Sequence, residues 1–346
     1  MAENKWTAHG AVLILAWVLC GCVDAAARPV ADGRQAGQEA VQGLTVPDVR
    51  RDSTFPEFSI ATCLNRTVGK SQGMDIHRDR VFCIQDGGTA LVFDLKARTG
   101  EPLATFPLGS KRAGNHSNTA NFGVETAAGA SFPLLYVSIG KAGDEQEFEC
   151  NVESVTEKDG QFSSECVQVI RMDQSQYQAR GLQPIWGCPN WLVDKERRHL
   201  WAFSAIKRTL VAATGDMATN KYVATKFRIP ALSEGRLVVL TAADVLDQVV
   251  FDFDTYITQG GCMKDGRIYY AYGFGKNGTR TPSRIRAYDT DTRSIVTRLE
   301  LEDYVTEELE DLSVYGDKLY VNTNSAYLYE VDGKFVVGGK GSGKAR

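Results

Sequence analysis

One short unit recurs five times along the middle of this chain: a polar or charged turn followed by a strand with two or three large apolar residues. The first copy is residues 79–84 (DRVFCI) and the last is residues 317–321 (DKLYV). The copies have their central apolar residue at Val81, Leu135, Leu200, Ile268 and Leu319, spaced 54, 65, 68 and 51 residues apart. Such a period has room for four strands and their loops, so the repeat restricts the chain to an array of small sheets.

The segments that flank this unit repeat as well. In one copy, a strand over residues 90–95 (ALVFDL) has Asp near its end and is followed by a turn and a second strand over residues 102–106. In the other copy, a strand over residues 285–290 (IRAYDT) is followed by a turn and a second strand over residues 295–299. Hairpins that repeat in this way are typical of radial blades, where each sheet is buried between its neighbours. A β-sandwich has similar strand content but is not expected to repeat one phrase. The sequence therefore predicts an all-β fold, a β-propeller.

Five copies predict five blades. The strand at residues 58–63 precedes the first full unit, and the last unit, residues 312–335, holds only about three strands. We therefore expect the N-terminal strand to complete the last blade and close the ring. Residues 232–253 are ambiguous: we interpret 237–240 and 249–251 as outer strands of the third blade around a short helical turn at 242–246, with a sixth blade as the alternative.

The N-terminus has the pattern of an export signal. Its apolar run, residues 11–19 (AVLILAWVL), is too short to span a bilayer and has the length of a signal-peptide core. It ends in Leu19-Cys20-Gly21-Cys22, which resembles the lipobox of bacterial lipoproteins and implies that Cys22 is the acylated residue. The alternative is an ordinary secretory signal with Cys22 incidental. We expect an exported chain, lipid-anchored to the outer membrane of the cell envelope, on either its periplasmic or its surface side.

The domain organisation follows from these patterns. We predict a signal peptide over residues 1–21, a lipidated flexible tether over 22–56, one propeller domain over 57–337 and a disordered tail over 338–346. Lys plus Arg number 39 and Asp plus Glu 43, a formal net charge of −4. That balance argues against a nucleic-acid partner, which requires a basic face.

Three phrases carry a family resemblance: QGMDIHRDRVFC, ALVFDLKARTGEPLATF and EDLSVYGDKLYV, at residues 72–83, 90–106 and 310–321. With them the chain resembles secreted propellers of the YVTN, NHL and glutamine-cyclotransferase-like type, and in particular propeller lipoproteins of unassigned function from Bacteroidota. The resemblance implies an architecture for about residues 57–335. It implies no reaction, because propellers host binders, hydrolases, lyases and scaffolds.

Candidate functional residues lie in the loops that lead into the innermost strand of each blade, and we expect these loops to meet at one mouth of the central channel. Amides both donate and accept hydrogen bonds, and aromatic rings cover the apolar faces of sugars, so this set suits a glycan or another small polar ligand. The candidates are Gln72, Asp75, His116, Asn118, Asn121, Trp186, Asn190, Trp191, Gln259, Glu310 and Asp311. The alternative is that they bind ordered water and satisfy backbone groups, while glycines permit close packing.

Three functions remain open from the sequence. The first is a membrane-tethered, monomeric module that binds a small ligand or an envelope protein at the channel mouth. The second is a glycoside hydrolase or lyase that uses Glu310 or Asp311 together with His116. The third is a structural subunit of an envelope complex. Catalysis has the weakest support, since no nucleophile motif is present.

The spacing of histidines and cysteines bears on metal binding and on disulfides. No His-x-x-x-His or Cys-x-x-Cys pair follows Cys22, so we expect no transition-metal cofactor; calcium at the acidic residues 307–311 is the alternative. Six cysteines follow Cys22, and an even count in an exported chain permits disulfides. We predict the pair Cys150–Cys166, which flanks a hairpin turn at Asp159-Gly160.

Overall fold

The computed structural model describes residues 59–63, 71–97, 100–139, 146–207, 219–252, 258–275, 283–301, 304–325 and 327–331, with only the backbone of 59–63. The predicted signal, Cys22, the tether and the tail lie outside these residues. In chain order the strands are β1 Ser59–Cys63, β2 Ser71–His77, β3 Arg80–Gln85, β4 Thr89–Asp94, β5 Ala104–Pro107, β6 Ala120–Phe122, β7 Leu135–Ser138, β8 Glu149–Lys158, β9 Gln161–Met172, β10 Asn190–Asp194, β11 His199–Ala205, β12 Lys221–Arg228, β13 Leu237–Leu240, β14 Asp247–Asp252, β15 Gly260–Lys264, β16 Arg267–Tyr272, β17 Arg284–Asp289, β18 Ser294–Glu300, β19 Leu309–Tyr315, β20 Lys318–Thr323 and β21 Tyr327–Val331.

These strands form five sheets, the blades of a β-propeller, and the fold prediction is confirmed. Blades 1 to 5 have the strand orders β2-β3-β4-β5, β6-β7-β8-β9-β13, β10-β11-β12-β14, β15-β16-β17-β18 and β19-β20-β21-β1. The five repeat copies are the second strands β3, β7, β11, β16 and β20. Neighbouring first strands contact one another in turn from β2 to β19 and back to β2, so they surround a common axis.

The ring is closed as the sequence predicts. Strand β1 pairs antiparallel with β21, from Ser59 opposite Glu330 to Cys63 opposite Tyr327. The N-terminal strand is therefore the outermost strand of the blade that the C-terminal strands begin. Because this pairing joins the two ends of the propeller, it closes the ring with hydrogen bonds rather than with packing alone.

The ambiguous segment belongs to two blades. Strand β14 is the outermost strand of blade 3, as expected. Strand β13 is not in blade 3: it crosses to blade 2 and pairs parallel with β9, which corrects the sequence assignment. This pairing buries Leu240 and packs Val238 against the core between blades 2 and 3. Residues 241–246 form a turn rather than a helix, closed by Asp244 Oδ2, which accepts the Thr241 N–H at 2.8 Å.

The repeated strand that ends in Asp has a physical reason. On β4, Asp94 accepts a hydrogen bond from Arg80 at 2.8 Å and, through Oδ1, from the Lys96 N–H that follows it. On β17, Asp289 accepts from Arg267 at 3.0 Å and from the Thr292 N–H at 2.9 Å. Each carboxylate therefore joins two strands and caps the next turn, and these donors lower the pKa of both groups against the opposing effect of burial.

The predicted disulfide is wrong. Cys150 and Cys166 are both free thiols, and no disulfide is present among the described residues. The hairpin of β8 and β9 does turn at Asp159-Gly160, but Cys150 lies opposite Ile170 and Cys166 lies opposite Glu153. The two thiols are thus about three residues out of register, roughly 10 Å along the strand, beyond the reach of a disulfide.

A truncation tests the closure. A chain that starts at residue 64 lacks β1, exposes the edge of β21 and loses the ladder that joins the two ends of the ring. We expect its free energy of unfolding to fall by about 3 kcal/mol relative to a chain that starts at residue 57 and keeps β1. Urea denaturation of the two chains measures the difference. Equal midpoints would contradict the role assigned to β1.

Candidate functional site

The first strands of the blades lie unusually close to the axis. A Cβ atom on Gly260 would lie 2.3 Å from the Glu310 carbonyl oxygen, and one on Gly73 would lie 2.7 Å from the Ser117 carbonyl oxygen. Gly73 in fact donates its N–H to that Ser117 oxygen at 2.7 Å. Glycine is therefore required where blade 1 meets blade 2 and where blade 4 meets blade 5. The segments expected to be loops at these positions are largely the first strands themselves.

Asp311 on β19 joins four of the five blades. Its Oδ2 accepts the N–H of Met74 at 2.7 Å and of Ala120 at 3.1 Å, from blades 1 and 2. Its Oδ1 accepts the N–H of Gly261 and of Leu312, both at 2.8 Å, from blades 4 and 5. The side chain is fully buried. Burial raises the pKa of this carboxyl, and the four amide donors oppose that shift.

Asp75 on β2 forms a second tie, deeper along the axis. Its Oδ2 accepts the Phe122 N–H at 2.6 Å and the Lys195 ammonium at 3.0 Å, and its Oδ1 accepts the Ser313 hydroxyl at 2.5 Å. Blades 1, 2, 3 and 5 therefore meet at this carboxylate. Lys195 follows β10, and nothing in its local sequence distinguishes it from a solvent-exposed turn lysine.

Two further candidates complete this axial network. Asn121 accepts the Val193 N–H at 3.2 Å and donates to the Gly261 carbonyl oxygen at 3.3 Å, linking blades 2, 3 and 4. Asn190 accepts the Thr119 hydroxyl and donates to the Thr258 hydroxyl, both at 2.8 Å. The side chains of Asp75, Asn121, Asn190 and Asp311 are therefore already occupied by contacts between blades.

The two tryptophans are in different surroundings. Trp191 is fully buried in the core between blades 2 and 3, where it packs at 6.3 Å from Phe227, so its predicted place beside the mouth is corrected. Alternation along β10 turns its ring towards blade 2, whereas the next residue, Leu192, packs against blade 4. Trp186 is half-buried beside Gly187 and Cys188, before β10. Asn118 is half-buried, and its side-chain oxygen finds no hydrogen-bond partner among the described residues.

The remaining candidates meet at the end of the axis where the first strands begin, which we call the mouth. Glu308, just before β19, is its centre. Its Oε1 accepts the Gln259 amide at 2.5 Å, and its Oε2 accepts the Asn324 amide at 2.9 Å. Burial raises the pKa of the Glu308 carboxyl, while Asn324, His116 and Gln259 oppose that shift. Loops of blades 4 and 5 thus bring two amide donors and one half-buried carboxyl together.

Glu310 lies next to this group and is only 5% exposed. Burial raises its pKa well above the ordinary value, and the neighbouring charges of Glu308 and Asp86 raise it further; a hydrogen bond from Gln72 opposes the shift. Burial of like charges destabilises a fold. Two buried carboxyls with raised pKa values at one end of a channel are therefore typical of functional sites.

His116 forms the rim of the mouth with Asp86. Its Nδ1 lies 2.5 Å from Asp86 Oδ1, and its ring remains exposed. Asp86 follows β3 and reaches the mouth because β3 runs antiparallel to β2, with Gln85 opposite Ser71. The mouth therefore comprises Gln72, Asp86, His116, Gln259, Glu308, Glu310 and Asn324.

Sequence reasoning missed Asp86 and Asn324 as site residues. Both follow the second strand of a blade, and in an antiparallel blade the end of the second strand lies beside the start of the first. That rule would have found them. Glu308 was visible only as one member of the acidic run at residues 307–311.

No group of three or more His, Cys, Asp or Glu side chains able to hold an ion occurs within the described ranges. The calcium alternative therefore finds no ligand set at the part of the mouth that is described. Likewise, in the described part of the chain no helix has the length and hydropathy to cross a membrane.

The arrangement is rich in acceptors. The amide groups of Gln72, Gln259 and Asn324 all donate to carboxyl oxygens. Each Glu308 oxygen has accepted one hydrogen bond and retains capacity for a second. A group that approaches the mouth therefore meets carboxyl oxygens held in place by amides, which favours hydrogen-bond donors and positive charge.

Comparisons with known proteins show no family for this chain. No protein-family model and no curated protein matches the chain. Among solved structures it is similar to Myxococcus xanthus glutaminyl cyclase, with 12% identity and a TM-score of 0.42 over 78% of this chain and 92% of that one. It is also similar to Chaetomium thermophilum Raptor, with 11% identity and a TM-score of 0.40 over 80% of this chain and 29% of that one.

Asp311→Asn tests the axial network. An amide places an NH2 group against two of the four backbone donors, so we expect the free energy of unfolding to fall by at least about 3 kcal/mol. Asp317→Asn, at an exposed turn in the same blade, is the matched control and should change it little. Urea denaturation measures both. Similar small losses in the two variants would disprove the axial role of Asp311.

Glu310→Gln tests whether ionisation of the buried Glu310 carboxyl destabilises the protein. Because burial raises the native pKa of Glu310 above its unfolded value, its ionisation destabilises the native state as pH rises between those two values. The variant cannot ionise, so we expect its melting temperature to exceed that of the wild type at pH 8 and the difference to shrink at pH 4. A variant that is less stable at both pH values would contradict this account.

Proposed function

We propose that this protein is an exported, lipid-anchored binding module whose mouth takes a small polar ligand carrying an ammonium group and hydroxyls, such as an amino sugar. The single observation that carries the proposal is the pair Glu308 and Glu310, with the amides of Gln259, Asn324 and Gln72 turned towards their oxygens. An ammonium group supplies both the positive charge and the N–H donors that such a pair favours.

The location of the site supports binding. Its residues come from blades 1, 2, 4 and 5, so the ring geometry holds their spacing without dependence on one loop. Below the mouth, Asp311 and its four amide partners connect the first strands of blades 1, 2, 4 and 5 across the axis. The proposal therefore places the ligand on the mouth, above this layer.

The membrane anchor is part of the proposal and rests on the sequence of residues 11–22. Cys22→Ser should abolish incorporation of a labelled fatty acid and release the protein from the membrane fraction of the expressing bacterium. Cys20→Ser is the matched control, because position −2 of a lipobox tolerates many residues, and it should leave labelling intact. Labelling of the Cys22→Ser chain would remove the lipoprotein assignment.

A hydrolase or lyase is the second candidate, and the raised pKa of Glu310 favours it. A carboxyl whose pKa is raised keeps its proton to a higher pH and can act as a general acid, with His116 held by Asp86 as the base. Asp311 does not join this scheme, because both of its oxygens are occupied by backbone donors. Turnover of a glycan that disappears in both Glu310→Gln and His116→Gln would favour the enzyme over the binding module.

Calorimetry with matched sugars tests ligand binding. We expect glucosamine to bind and N-acetylglucosamine, its uncharged counterpart, to bind at least about 10-fold more weakly, the equivalent of about 1.4 kcal/mol. A bound cation favours the ionised carboxyls, so binding should release protons from Glu310 and tighten as pH rises, over the range in which the amino group of the sugar remains protonated.

The matched variants are Glu308→Gln and Asp317→Asn. The first removes the half-buried carboxyl and should weaken glucosamine binding about 10-fold or more, while the second should have no effect. Equal affinity for the two sugars, or affinity independent of Glu308, would contradict the proposed site. If the partner is instead an envelope protein, the intact protein should capture that protein and bind neither sugar.

A further inference from the structure

The outermost strand of blade 2, β13, exposes two of its apolar side chains. Leu237 is 52% exposed and Val239 is 44% exposed, both on β13. The strand reads Leu-Val-Val-Leu and contains no charge. By contrast, the outer strand of blade 3, β14, carries Asp at both ends, and the outer strand of blade 4, β18, carries Arg and Glu. Charges of that kind protect edges from pairing, and β13 has none.

The free edge of β13 carries backbone groups in a defined pattern. In its parallel ladder with β9, the carbonyl oxygens of Arg236 and Leu240 accept from Val169 and Asp173. Because bonding residues alternate in such a ladder, Leu237 and Val239 direct their N–H and C=O groups away from β9. No strand in the described part of the chain pairs with that edge.

We propose that the free edge of β13 pairs antiparallel with β13 of a second copy of this chain, about a two-fold axis at Val238. In this register Leu237 of each copy lies opposite Val239 of the other. Both residues face outward, so each pair exchanges two backbone hydrogen bonds and joins its apolar side chains on one face of the sheet. The contact is isologous and joins two blades into one continuous sheet.

Charge complementarity identifies a second copy as the occupant. Arg236 precedes β13 and is 76% exposed at its side chain, with a long 3.7 Å contact to Glu165 and a hydrogen bond to the Cys166 carbonyl oxygen. Asp244 lies in the turn that follows β13, with its Oδ2 bound to Thr241. An antiparallel pair brings the start of one β13 to the end of the other. Arg236 of each copy therefore approaches the turn that holds Asp244 of its neighbour, twice per dimer.

Sedimentation and light scattering of the purified protein test this proposal. We expect a monomer–dimer equilibrium that favours the dimer at about 100 μM. Val239→Lys should raise the dimer dissociation constant at least about 10-fold, because it places a charge at the centre of the pair. Tyr304→Lys is the matched control: Tyr304 is 41% exposed and lies between blades 4 and 5, so the dimer should persist.

A second variant separates misfolding from dissociation. Val239→Pro removes one outward N–H but no N–H that bonds to β9, so it should abolish the dimer with the far-UV circular dichroism spectrum retained. Arg236→Glu should weaken the dimer at low ionic strength more than at high. A wild-type protein that is monomeric throughout this range overturns the proposal, as does a dimer that survives both substitutions at Val239.

Discussion

The propeller depends on one buried carboxylate. Asp311 accepts backbone N–H groups from four blades at 2.7–3.1 Å, and all four acceptor positions of its two oxygens are used. Blade faces hold each neighbouring pair together through apolar packing, but such packing is tolerant of small shifts. A carboxylate with four fixed donors does not tolerate such shifts, so it sets the distance of the first strands from the axis. Gly260 is the corresponding sequence requirement, since any side chain there would meet Asp311.

This constraint separates the polar residues of the axis into two groups. Asp75, Asn121, Asn190 and Asp311 satisfy backbone groups and tie blades together, which is the bland interpretation of a polar channel. Glu308 and Glu310 accept hydrogen bonds from side-chain amides of neighbouring loops and have raised pKa values. The described polar residues therefore form two layers along the axis. The deeper layer connects the blades, and the outer layer, at the mouth, contains the carboxyls that we propose bind a ligand.

The sequence predicted the architecture well because its signals are local. The second strand of every blade, the closure by β1 and the turn at Asp159-Gly160 follow from apolar runs and turn residues within a few positions. Strand β13 was assigned to the wrong blade because Leu-Val-Val-Leu specifies a strand but not its partner, and the partner was set by burial of Val238 and Leu240 between two blades. Cys150 and Cys166 failed as a pair because register, not separation along the chain, decides which residues meet.

The candidate site was predictable only in part. Counting back from the repeat located the first strands, and with them Gln72, Gln259 and Glu310. Their depth was not predictable, because neighbours such as Glu310 and Asp311 differ in role by the alternation of a single strand position. Lys195 and Asp86 reach the axis and the mouth from turns whose local sequence resembles any exposed turn. Their roles depend on the end of the ring at which each turn lies, and the local sequence does not specify that end.

The most direct test is a crystal structure of the protein grown with glucosamine at pH 7, where the amino group of the sugar is largely protonated. The account predicts the amino group within hydrogen-bond distance of Glu308 or Glu310 at the mouth, above an Asp311 carboxylate that contacts Met74, Ala120, Gly261 and Leu312. An open channel with Asp311 turned towards solvent, or a sugar bound only on the outer surface of the blades, would contradict it.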